Sequence, residues 1–302
     1  MLKRLNLVVI AVLLASPSVL AQTYPPDIQS LISAENYFAG LSVGKGVKKA
    51  FLRVSDKNTI VFRPGPVSAK EFYSKAEEDS TYLYWYPSFA RIAKSGDWGF
   101  TSGPFVVKPS AQSAKEGYGQ YCSVWKRNAK GVWKLAIDIG ITHSKPGSEP
   151  KLDFASPDEE KFFKQRSPNR LQQREDIVKS TDDLFGTSLR VVGNKAYDEY
   201  GSDDIHFLFP GSQPVIGTQK VQEFLNKERI KINTTHTAGD RAYSGELAYT
   251  YGTAHATQKG LIRIYNYVRI WELQEGKWNV LFEVYAPDPS ASLKEEYTEG
   301  NK

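Results

Sequence analysis

The chain has 302 residues, long enough for one large or two ordinary domains. Of these residues 40% are hydrophobic and 24% are charged, values typical of a globular protein. The formal net charge of +5, without a run of Lys or Arg, is too weak for a nucleic-acid-binding surface. The single cysteine, Cys122, excludes an intrachain disulfide, so stability must come from burial of a core.

The N-terminus has the features of a secretory signal peptide over residues 1–21. Lys3 and Arg4 precede the apolar run Leu5–Ala15, and small residues precede a cleavage point near Ala21. The run is short for a membrane span, and no cysteine stands near the cleavage point, so we predict no stable membrane anchor. We therefore expect an exported protein, periplasmic in a Gram-negative source and secreted otherwise.

The first half of the mature chain begins with helical patterns and continues with strands. Apolar residues at helical spacing start at Ile28, and Val47–Val54 predicts a second, shorter helix. Thr59–Arg63 is a β-rich run stopped by a Pro-Gly-Pro turn, and Ala69–Lys75 predicts a third helix. The strand-like stretches that follow are Tyr82–Ile92, Asp97–Val107, Tyr118–Arg127 and Val132–Ile141.

The second half repeats that order of elements. Leu171–Val192 predicts a helix, Lys195–Tyr200 a short one, Ile205–Phe209 a strand and Val221–Lys227 another helix. The four strand predictions that follow are Ile230–Thr237, Glu246–Ala256, Leu261–Leu273 and Lys277–Tyr285.

Short sequence matches indicate that one domain occurs twice. Ser95–Gly103 reads SGDWGFTSG and Ser244–Gly252 reads SGELAYTYG, with Ser, Gly, Thr and Gly at matching places. Further on, Tyr and Trp residues also recur in the same order. We predict a first domain over 25–143 and a second over 171–286.

Two segments lack the periodicity of either domain. The segment 144–170 is rich in Pro, Ser and charge, which predicts a linker with one helical turn around Glu159–Gln165. Residues 287–302 are polar and without periodicity, which predicts a flexible tail.

Several segments of the first half resemble a known family. The segments TIVFRPGP, KEFY, SGDWGFTSGP, YGQYCSVWKR and GVWKLAIDIGITH resemble the SnoaL-like branch of the nuclear transport factor 2-like superfamily. The resemblance is greatest to its exported bacterial domains of unknown function. It implies an α+β fold of two cone-shaped domains, each a curved antiparallel sheet wrapped on about three helices. Because the family commonly dimerises through its sheets, the resemblance also implies an intrachain pseudo-dimer of the two repeats.

The resemblance implies a position for a catalytic base, and this chain departs from it. Ketosteroid isomerases of this fold have an Asp just before the Pro that ends the first strand. The matching residues here are Arg63 and Phe209, and neither can act as that base. Arg63 could bind a carboxylate or phosphate inside the first cone, or it could cover the sheet rim with its aliphatic stem.

Asp138 and Glu283 are paired candidates for an acid–base role on the last strand of each repeat. Strict alternation puts Leu135, Ile137 and Ile139 on one face and Asp138 on the other. If the apolar face covers the helices, both carboxylates point outward or into the contact between domains, the placement favoured by the cost of burying charge. If a bulge breaks the alternation, they face the cavity with perturbed pKa values.

The remaining candidates are a histidine and three aromatic residues. His206 could point into the second cone as a catalytic group, although a satisfied or exposed histidine is the favoured interpretation of its position. The histidines have no metal-ligand spacing, and no cofactor motif is present, so neither a metal nor a cofactor is predicted. Tyr86, Trp98 and Tyr249 are candidate ligand contacts, with core packing as the alternative.

The sequence therefore supports a function only in outline. We expect a protein that binds a small apolar or aromatic molecule in a cone, or that serves as an assembly module. The alternative is a cofactor-independent isomerase, cyclase or dehydratase that uses a cavity carboxylate, His and Tyr. A carboxylate near a Tyr in an open cavity would favour the enzyme, whereas a cone filled by aromatic side chains would favour a structural role.

Overall fold

The computed structural model describes residues 23–288 and the backbone of the short strand Lys294–Glu295. The predicted signal peptide, 1–21, and most of the predicted tail lie outside the described residues. The helices are α1 (Ile28–Lys45), α2 (Val47–Val54), α3 (Ala69–Lys75), α4 (Pro168–Val192), α5 (Tyr197–Tyr200) and α6 (Thr218–Lys227), with a 3-10 turn at Gly193–Ala196. The strands of the first half are β1 (Ser55–Phe62), β2 (Pro66–Ser68), β3 (Tyr82–Trp85), β4 (Phe89–Ile92), β5 (Trp98–Lys108), β6 (Gly117–Arg127), β7 (Trp133–His143) and β8 (Asp153–Ala155). Those of the second half are β9 (Gly201–Leu208), β10 (Val215–Ile216), β11 (Ile230–Arg241), β12 (Leu247–Gln258), β13 (Leu261–Gln274), β14 (Lys277–Pro287) and β15 (Lys294–Glu295).

Each half forms its own sheet, and the two sheets have the same topology. The order β2-β1-β7-β6-β5 in the first sheet matches β10-β9-β14-β13-β12 in the second. Most neighbours are antiparallel, but β1 pairs with β7 and β9 pairs with β14 in parallel. The predicted α+β class with two sheet-and-helix units is confirmed, while the sheets are mixed rather than purely antiparallel.

Local chemistry explains where the first helices begin and end. The Asp27 side chain accepts hydrogen bonds from the backbone N–H groups of Gln29 and Ser30 and so caps the start of α1. Gly46 has a φ of 86° and separates α1 from α2, a backbone conformation that glycine adopts without a steric cost. Both helices therefore match their predicted positions.

The matching glycines of the repeat allow a close approach between neighbouring strands. A Cβ at Gly103 would lie 1.9 Å from the Tyr86 carbonyl oxygen, and one at Gly252 would lie 2.1 Å from the Thr235 carbonyl oxygen. No other residue fits at either position without moving the backbone. In the first sheet this is the point at which β5 changes partner from β4 to β3, so the predicted strand Tyr82–Ile92 is two strands.

The segment predicted as a linker contains a strand. Residues 153–155 form β8, which lies parallel to β4 at the edge of the first sheet. The helical turn expected around Glu159–Gln165 is absent, since residues 156–167 have no helix and α4 begins at Pro168. At the other end of the second half, Pro287 is still part of β14, and Lys294–Glu295 pairs with β13.

Apolar side chains form three cores. One lies between the first sheet and α1 to α3, and includes Phe38, Phe51 and Trp125. A second lies between the second sheet and its helices, and includes Phe185 and Trp271. The third lies between the two sheets and is built from both halves of the chain. Its members include Phe89, Phe100, Ile137, Ile139, Tyr249, Ile270, Phe282 and Val284.

Candidate functional site

The interior of the first domain contains a cavity of about 230 Å³. It lies between the helices and the concave face of the sheet. Most of its wall is aromatic or aliphatic, and three polar side chains, Arg63, Tyr121 and Asp138, complete it. The lining residues are Phe38, Phe51, Arg63, Leu83, Trp85, Phe105, Val107, Tyr121, Asp138, Ile139 and Gly140.

Asp138 faces this cavity because β7 is irregular. Against β6, Val124 pairs with Ile137 but Trp125 pairs with Leu135, so Ala136 is an extra residue in the ladder. Leu135 and Asp138 therefore both point into the first domain, while Ile137 packs between the sheets. The favoured prediction that Asp138 points outward is wrong, because the outer face of β7 is covered by the other sheet and is apolar.

The Asp138 carboxyl is held in a partly apolar environment. Burial raises its pKa above the ordinary value, and the nearby Arg63 guanidinium and the hydrogen bond from Ser123 only partly oppose that rise. Ser123 Oγ donates to Asp138 Oδ2 at 2.9 Å from the neighbouring strand β6. A carboxyl of this kind can exchange a proton nearer neutral pH than a solvated aspartate can.

Tyr121 contributes a buried phenol. Its side chain lines the cavity, is 6% exposed, and packs edge-on against Trp85 with ring centroids 6.2 Å apart. Its hydroxyl makes no hydrogen bond of good geometry among residues 23–288, although the Thr101 side chain lies near enough to lower its pKa. An unpaired buried hydroxyl costs about 1–3 kcal/mol, so this group has the capacity to bond to a molecule inside the cavity.

Arg63 stands at the mouth of the cavity. Its Nη2 donates to the Tyr73 hydroxyl at 2.9 Å, and its Nη1 donates to the Phe62 carbonyl oxygen at 2.7 Å. Its guanidinium carbon lies 5.7 Å from the centre of the Phe51 ring. Arg63 is exposed, which places it on the rim, and it also borders the cavity. It therefore has features of both placements predicted from the sequence.

Glu35 is a buried carboxylate that the sequence interpretation missed. It lies on α1 and accepts hydrogen bonds from Trp85 Nε1 at 2.5 Å, Thr101 Oγ1 at 2.5 Å and Trp125 Nε1 at 2.7 Å. Burial raises its pKa to about 7 despite these donors. Its place on the apolar face of the helix, four residues after Leu31, is the signal that would have identified it.

The interior of the second domain is filled by a network centred on Arg269. Arg269 Nε donates to Glu283 Oε1 at 2.5 Å, and Arg269 Nη1 is paired with Asp182. Tyr197 and Tyr285 each donate a hydroxyl to Glu283 at 2.6 Å. All five side chains are buried. Glu283 therefore also faces inward, contrary to the favoured outward prediction, and the bulge that turns it lies at Leu281, between Phe282 and Val280.

The polar groups of the two interiors occupy equivalent positions. Ser123 pairs with Asp138 across β6 and β7, just as Arg269 pairs with Glu283 across β13 and β14. Tyr121 pairs with Gly140 where Tyr267 pairs with Tyr285. On the helices, Glu35 and Asp182 each lie four residues after a buried apolar residue and three before a buried Phe. The cavity borders Gly140, which stands where the second domain has Tyr285, and Asp138, whose strand partner Ser123 stands where the second domain has Arg269.

The other predicted site residues do not reach either interior. His206 packs between the sheets, with its ring centroid 4.2 Å from that of Phe89, and burial lowers its pKa to about 4. Trp98 and Tyr249 stack on each other at 6.5 Å in the same intersheet core. Tyr86 lies outside the cavity lining, beside Tyr84. The prediction that Trp98, Tyr249 and Tyr86 contact a ligand in a cone is wrong. Trp98 and Tyr249 lie on faces of the sheets that the other domain covers, and Tyr86 is not part of the cavity lining.

Equivalent serines meet where the two repeats face each other. Ser95 and Ser244 approach with their Oγ atoms 2.7 Å apart, and the backbone N–H of each donates to the Oγ of the other at 3.1 Å. Each serine also bonds to the acid two residues later, Asp97 or Glu246. The motif that identified the repeat is therefore part of the contact between its two copies.

Larger depressions of about 580, 1170 and 650 Å³ lie on the second domain. None of these is lined by Asp182, Arg269 or Glu283. Among the described residues, no group of three or more His, Cys, Asp and Glu side chains is arranged to hold a metal ion. No helix in the described part of the chain is long and apolar enough to cross a membrane.

No family model and no curated protein sequence matches the chain. Among solved structures, a ketosteroid isomerase-like protein from Erwinia carotovora is 12% identical, with a TM-score of 0.34 and coverage of 38% of this chain and 96% of that one. An NTF2-like protein from Novosphingobium aromaticivorans is 11% identical, with a TM-score of 0.34 and coverage of 41% and 88%. An LEH-like epoxide hydrolase from M. tuberculosis is 13% identical, with a TM-score of 0.30 and coverage of 39% and 81%.

Several of the similar solved structures are NTF2-like or ketosteroid isomerase-like proteins. Two of the similar structures have no known function. Each match spans about two-fifths of this chain.

Proposed function

We propose that the first domain binds a small, largely apolar molecule in its cavity and that the second domain is its structural partner. One observation carries this proposal. The first domain has a partly open cavity of about 230 Å³ with Asp138 and the buried Tyr121 hydroxyl on its wall, at positions where the second domain is filled by its own side chains. A mostly apolar pocket with a few polar groups is the usual form of a small-molecule site.

The lining explains what kind of molecule fits. Phe38, Phe51 and Trp85 provide aromatic surface, on which a flat apolar body is favourably buried. The Tyr121 hydroxyl and the Asp138 carboxyl provide hydrogen-bonding groups at fixed places, which select a molecule with a polar end. The volume limits the ligand to a compact molecule.

The test is ligand retention by the full-length protein. Native mass spectrometry of the purified chain should detect a bound small molecule, and fluorescence of the buried Trp85 should change when small aromatic compounds are titrated. Gly140→Tyr places in the cavity the side chain that the second domain has at Tyr285, and it should abolish both signals. A Cβ at Gly140 lies 3.3 Å from the Gln120 carbonyl oxygen, so a small local shift is needed.

The control for that variant is Gly147→Tyr, since a Cβ there meets no atom within 4 Å. Val107→Phe narrows the cavity independently and should weaken binding in the same direction. If no compound binds, no ligand co-purifies, and both cavity variants behave as the unaltered protein, the proposal is wrong.

The polar residues of the cavity wall also support a second candidate function. Asp138 with its raised pKa lies in one cavity with a tyrosine, an arrangement suited to proton transfer in an isomerase-type reaction without a cofactor. His206 is no part of it, since it packs between the sheets. Exchange of α-hydrogens for deuterium in a bound ketone would support this candidate, provided that Asp138→Asn stops the exchange while the ketone still binds.

The cellular setting and the assembly state are also proposals. We infer export after cleavage near Ala21, supported by the N-terminal sequence pattern, and an intrachain pseudo-dimer, supported by the reciprocal Ser95–Ser244 bonds and the apolar core between the sheets. N-terminal sequencing of the protein from a cell fraction tests the first. Sedimentation tests the second, because a pseudo-dimer satisfies its own interface and should remain a monomer.

A further inference from the structure

The second domain shows how this fold holds a cation. The Arg269 guanidinium is bonded to Asp182 and Glu283, and its Nη2 donates to the Tyr285 hydroxyl at 3.2 Å. Its central carbon lies 4.5 Å from the centre of the Phe185 ring and 4.4 Å from that of Tyr267. Two acids and two aromatic rings therefore surround one buried positive charge.

The first domain keeps the equivalents of these partners but not the cation. Glu35 and Asp138 replace the two acids, and Phe38 and Tyr121 replace the two rings. Ser123 stands in the place of the arginine, and Gly140 in the place of Tyr285. The cavity borders the position of Gly140 and the carboxyl of Asp138, whereas Ser123 and Glu35 are not part of its lining.

The charges of the first domain are not paired in the same way. Glu35 receives hydrogen bonds from neutral donors, and Asp138 from Ser123. Arg63 lies at the rim and donates hydrogen bonds to the Phe62 carbonyl oxygen and the Tyr73 hydroxyl. It therefore lowers the pKa of Asp138 only through space. Burial raises the pKa of Tyr121 well above its ordinary value, and the negative charges of Glu35 and Asp138, when ionised, add to that rise.

Resting on the proposed function of the cavity, we propose that the ligand of the first domain carries a cationic group, an ammonium or amidinium on a compact apolar body. The cation lies against Asp138 with Glu35 behind it, and the Tyr121 hydroxyl accepts a second N–H from the ligand. The apolar body lies against Phe38, Phe51 and Trp85. The ligand then supplies the group that Arg269 supplies inside the second domain.

Other ligand charges fit the wall less well. An anion inside the cavity would face Asp138, with Glu35 acting through space, and Arg63 could balance it only at the rim. A neutral ligand could bond to Tyr121 but would leave the Asp138 carboxylate without an opposite charge in contact. The contrast between cation, neutral molecule and anion is therefore the measurable property.

Three probes of nearly the same shape test the inference on the full-length protein: benzamidine as the cation, benzamide as the neutral compound and benzoate as the anion. Titration calorimetry should give benzamidine an affinity at least about tenfold above that of benzamide, as expected for a charge-assisted bond, with no detectable binding of benzoate. Gly140→Tyr should remove benzamidine binding and Gly147→Tyr should not.

Variants separate charge from shape. Asp138→Asn should lower the affinity for benzamidine about tenfold and leave that for benzamide within about twofold. Asp79→Asn, an exposed acid on the loop before β3, should change neither. Ser123→Arg supplies the cation from the chain itself, as in the second domain, and should block benzamidine. Between about pH 5 and about pH 8, benzamidine affinity should rise with pH as Asp138 and Glu35 ionise, while benzamide affinity stays flat.

The outcomes separate this inference from the proposed function. If benzamide or benzoate binds as tightly as benzamidine, and Gly140→Tyr abolishes that binding, the cation inference is wrong and the cavity is still a binding site. A neutral or anionic molecule that co-purifies in the cavity has the same meaning. If no probe binds and nothing co-purifies, both proposals are wrong. If Ser123→Arg does not fold, the Asp138→Asn comparison still decides.

Discussion

The two domains share a topology and a pair of buried acids, and they differ in what faces those acids. In the second domain, Arg269 and three tyrosines bond to Asp182 and Glu283, so these acids are occupied by the chain's own side chains. In the first, Ser123 and Gly140 stand in place of Arg269 and Tyr285, and a cavity of about 230 Å³ borders Gly140 and Asp138. A duplicated fold can therefore use the same acid positions for internal cohesion in one copy and leave them available in the other.

The largest expected effect comes from removing the cation of the second domain. Arg269→Met leaves Asp182 and Glu283 buried without their partner, and it should lower the free energy of unfolding by about 3–5 kcal/mol. Urea denaturation at neutral pH measures this. Arg190→Met is the control, since Arg190 is exposed and bonds only to Asn233 and Thr187. A loss below about 1 kcal/mol for Arg269→Met would show that the network is not cohesive.

The next effect is a pH dependence that originates in the first domain. The pKa of Glu35 is raised from 4.5 to about 7, so its folded state binds a proton more tightly than its unfolded state. Stability from this group is complete below pH 4.5 and is lost as the pH rises toward 7, by an amount on the order of 3 kcal/mol.

Urea midpoints between pH 4.5 and 7 should therefore show a fall that Glu35→Gln reduces, while the raised pKa of Asp138 leaves a smaller fall of the same sign. The slope rather than the absolute stability is compared, because glutamine also changes the bonds to Trp85 and Trp125. A slope that persists unchanged in Glu35→Gln would assign the titration to another group.

A matched pair of tyrosine variants sharpens the comparison further. Tyr267→Phe removes a hydroxyl that donates to Asp182 at 2.6 Å and should cost about 1–3 kcal/mol. Tyr121→Phe removes the equivalent hydroxyl of the first domain, which lies near Thr101 but makes no hydrogen bond of good geometry among the described residues, and should be neutral or slightly stabilising in the ligand-free protein. Thermal denaturation of the two variants side by side decides, and equal losses would contradict the difference between the interiors.

The smallest effect concerns the place where the repeats meet. Ser95→Ala, Ser244→Ala and the double variant form a cycle, and the coupling between the two serines should be about 0.5–1.5 kcal/mol. Chemical denaturation of all four proteins measures it. Additive losses would mean that the reciprocal bonds do not hold the two sheets together.

The order of elements was predictable from the sequence, but the face of the last strand that points toward the helices was not. Alternation along β7 correctly separates Asp138 from Ile137 and Ile139, yet it does not say which face covers the helices. The outer face is apolar because the second sheet lies on it, and the extra residue Ala136 brings Leu135 to the inner face with Asp138. A bulge leaves no composition signal, so only the structure identifies it.

The same physical reason explains the aromatic candidates. Trp98 and Tyr249 are residue types that often contact ligands. A sheet that is covered on both faces, however, buries aromatic side chains on each face, and these two lie in the core between the sheets. Glu35 could have been predicted from the sequence, because it is an acid on the apolar face of α1 between Leu31 and Phe38. Ser123 and Gly140 became informative only when register placed them opposite Arg269 and Tyr285.

The core between the sheets has a consequence for how the protein comes apart. Melting either half would expose the apolar face of the other, including Phe100 and Phe282, whose ring centroids are 5.9 Å apart. The two halves should therefore denature in one cooperative transition rather than in two. A molecule held by the first half would then protect the second from heat and proteases, although it never touches it.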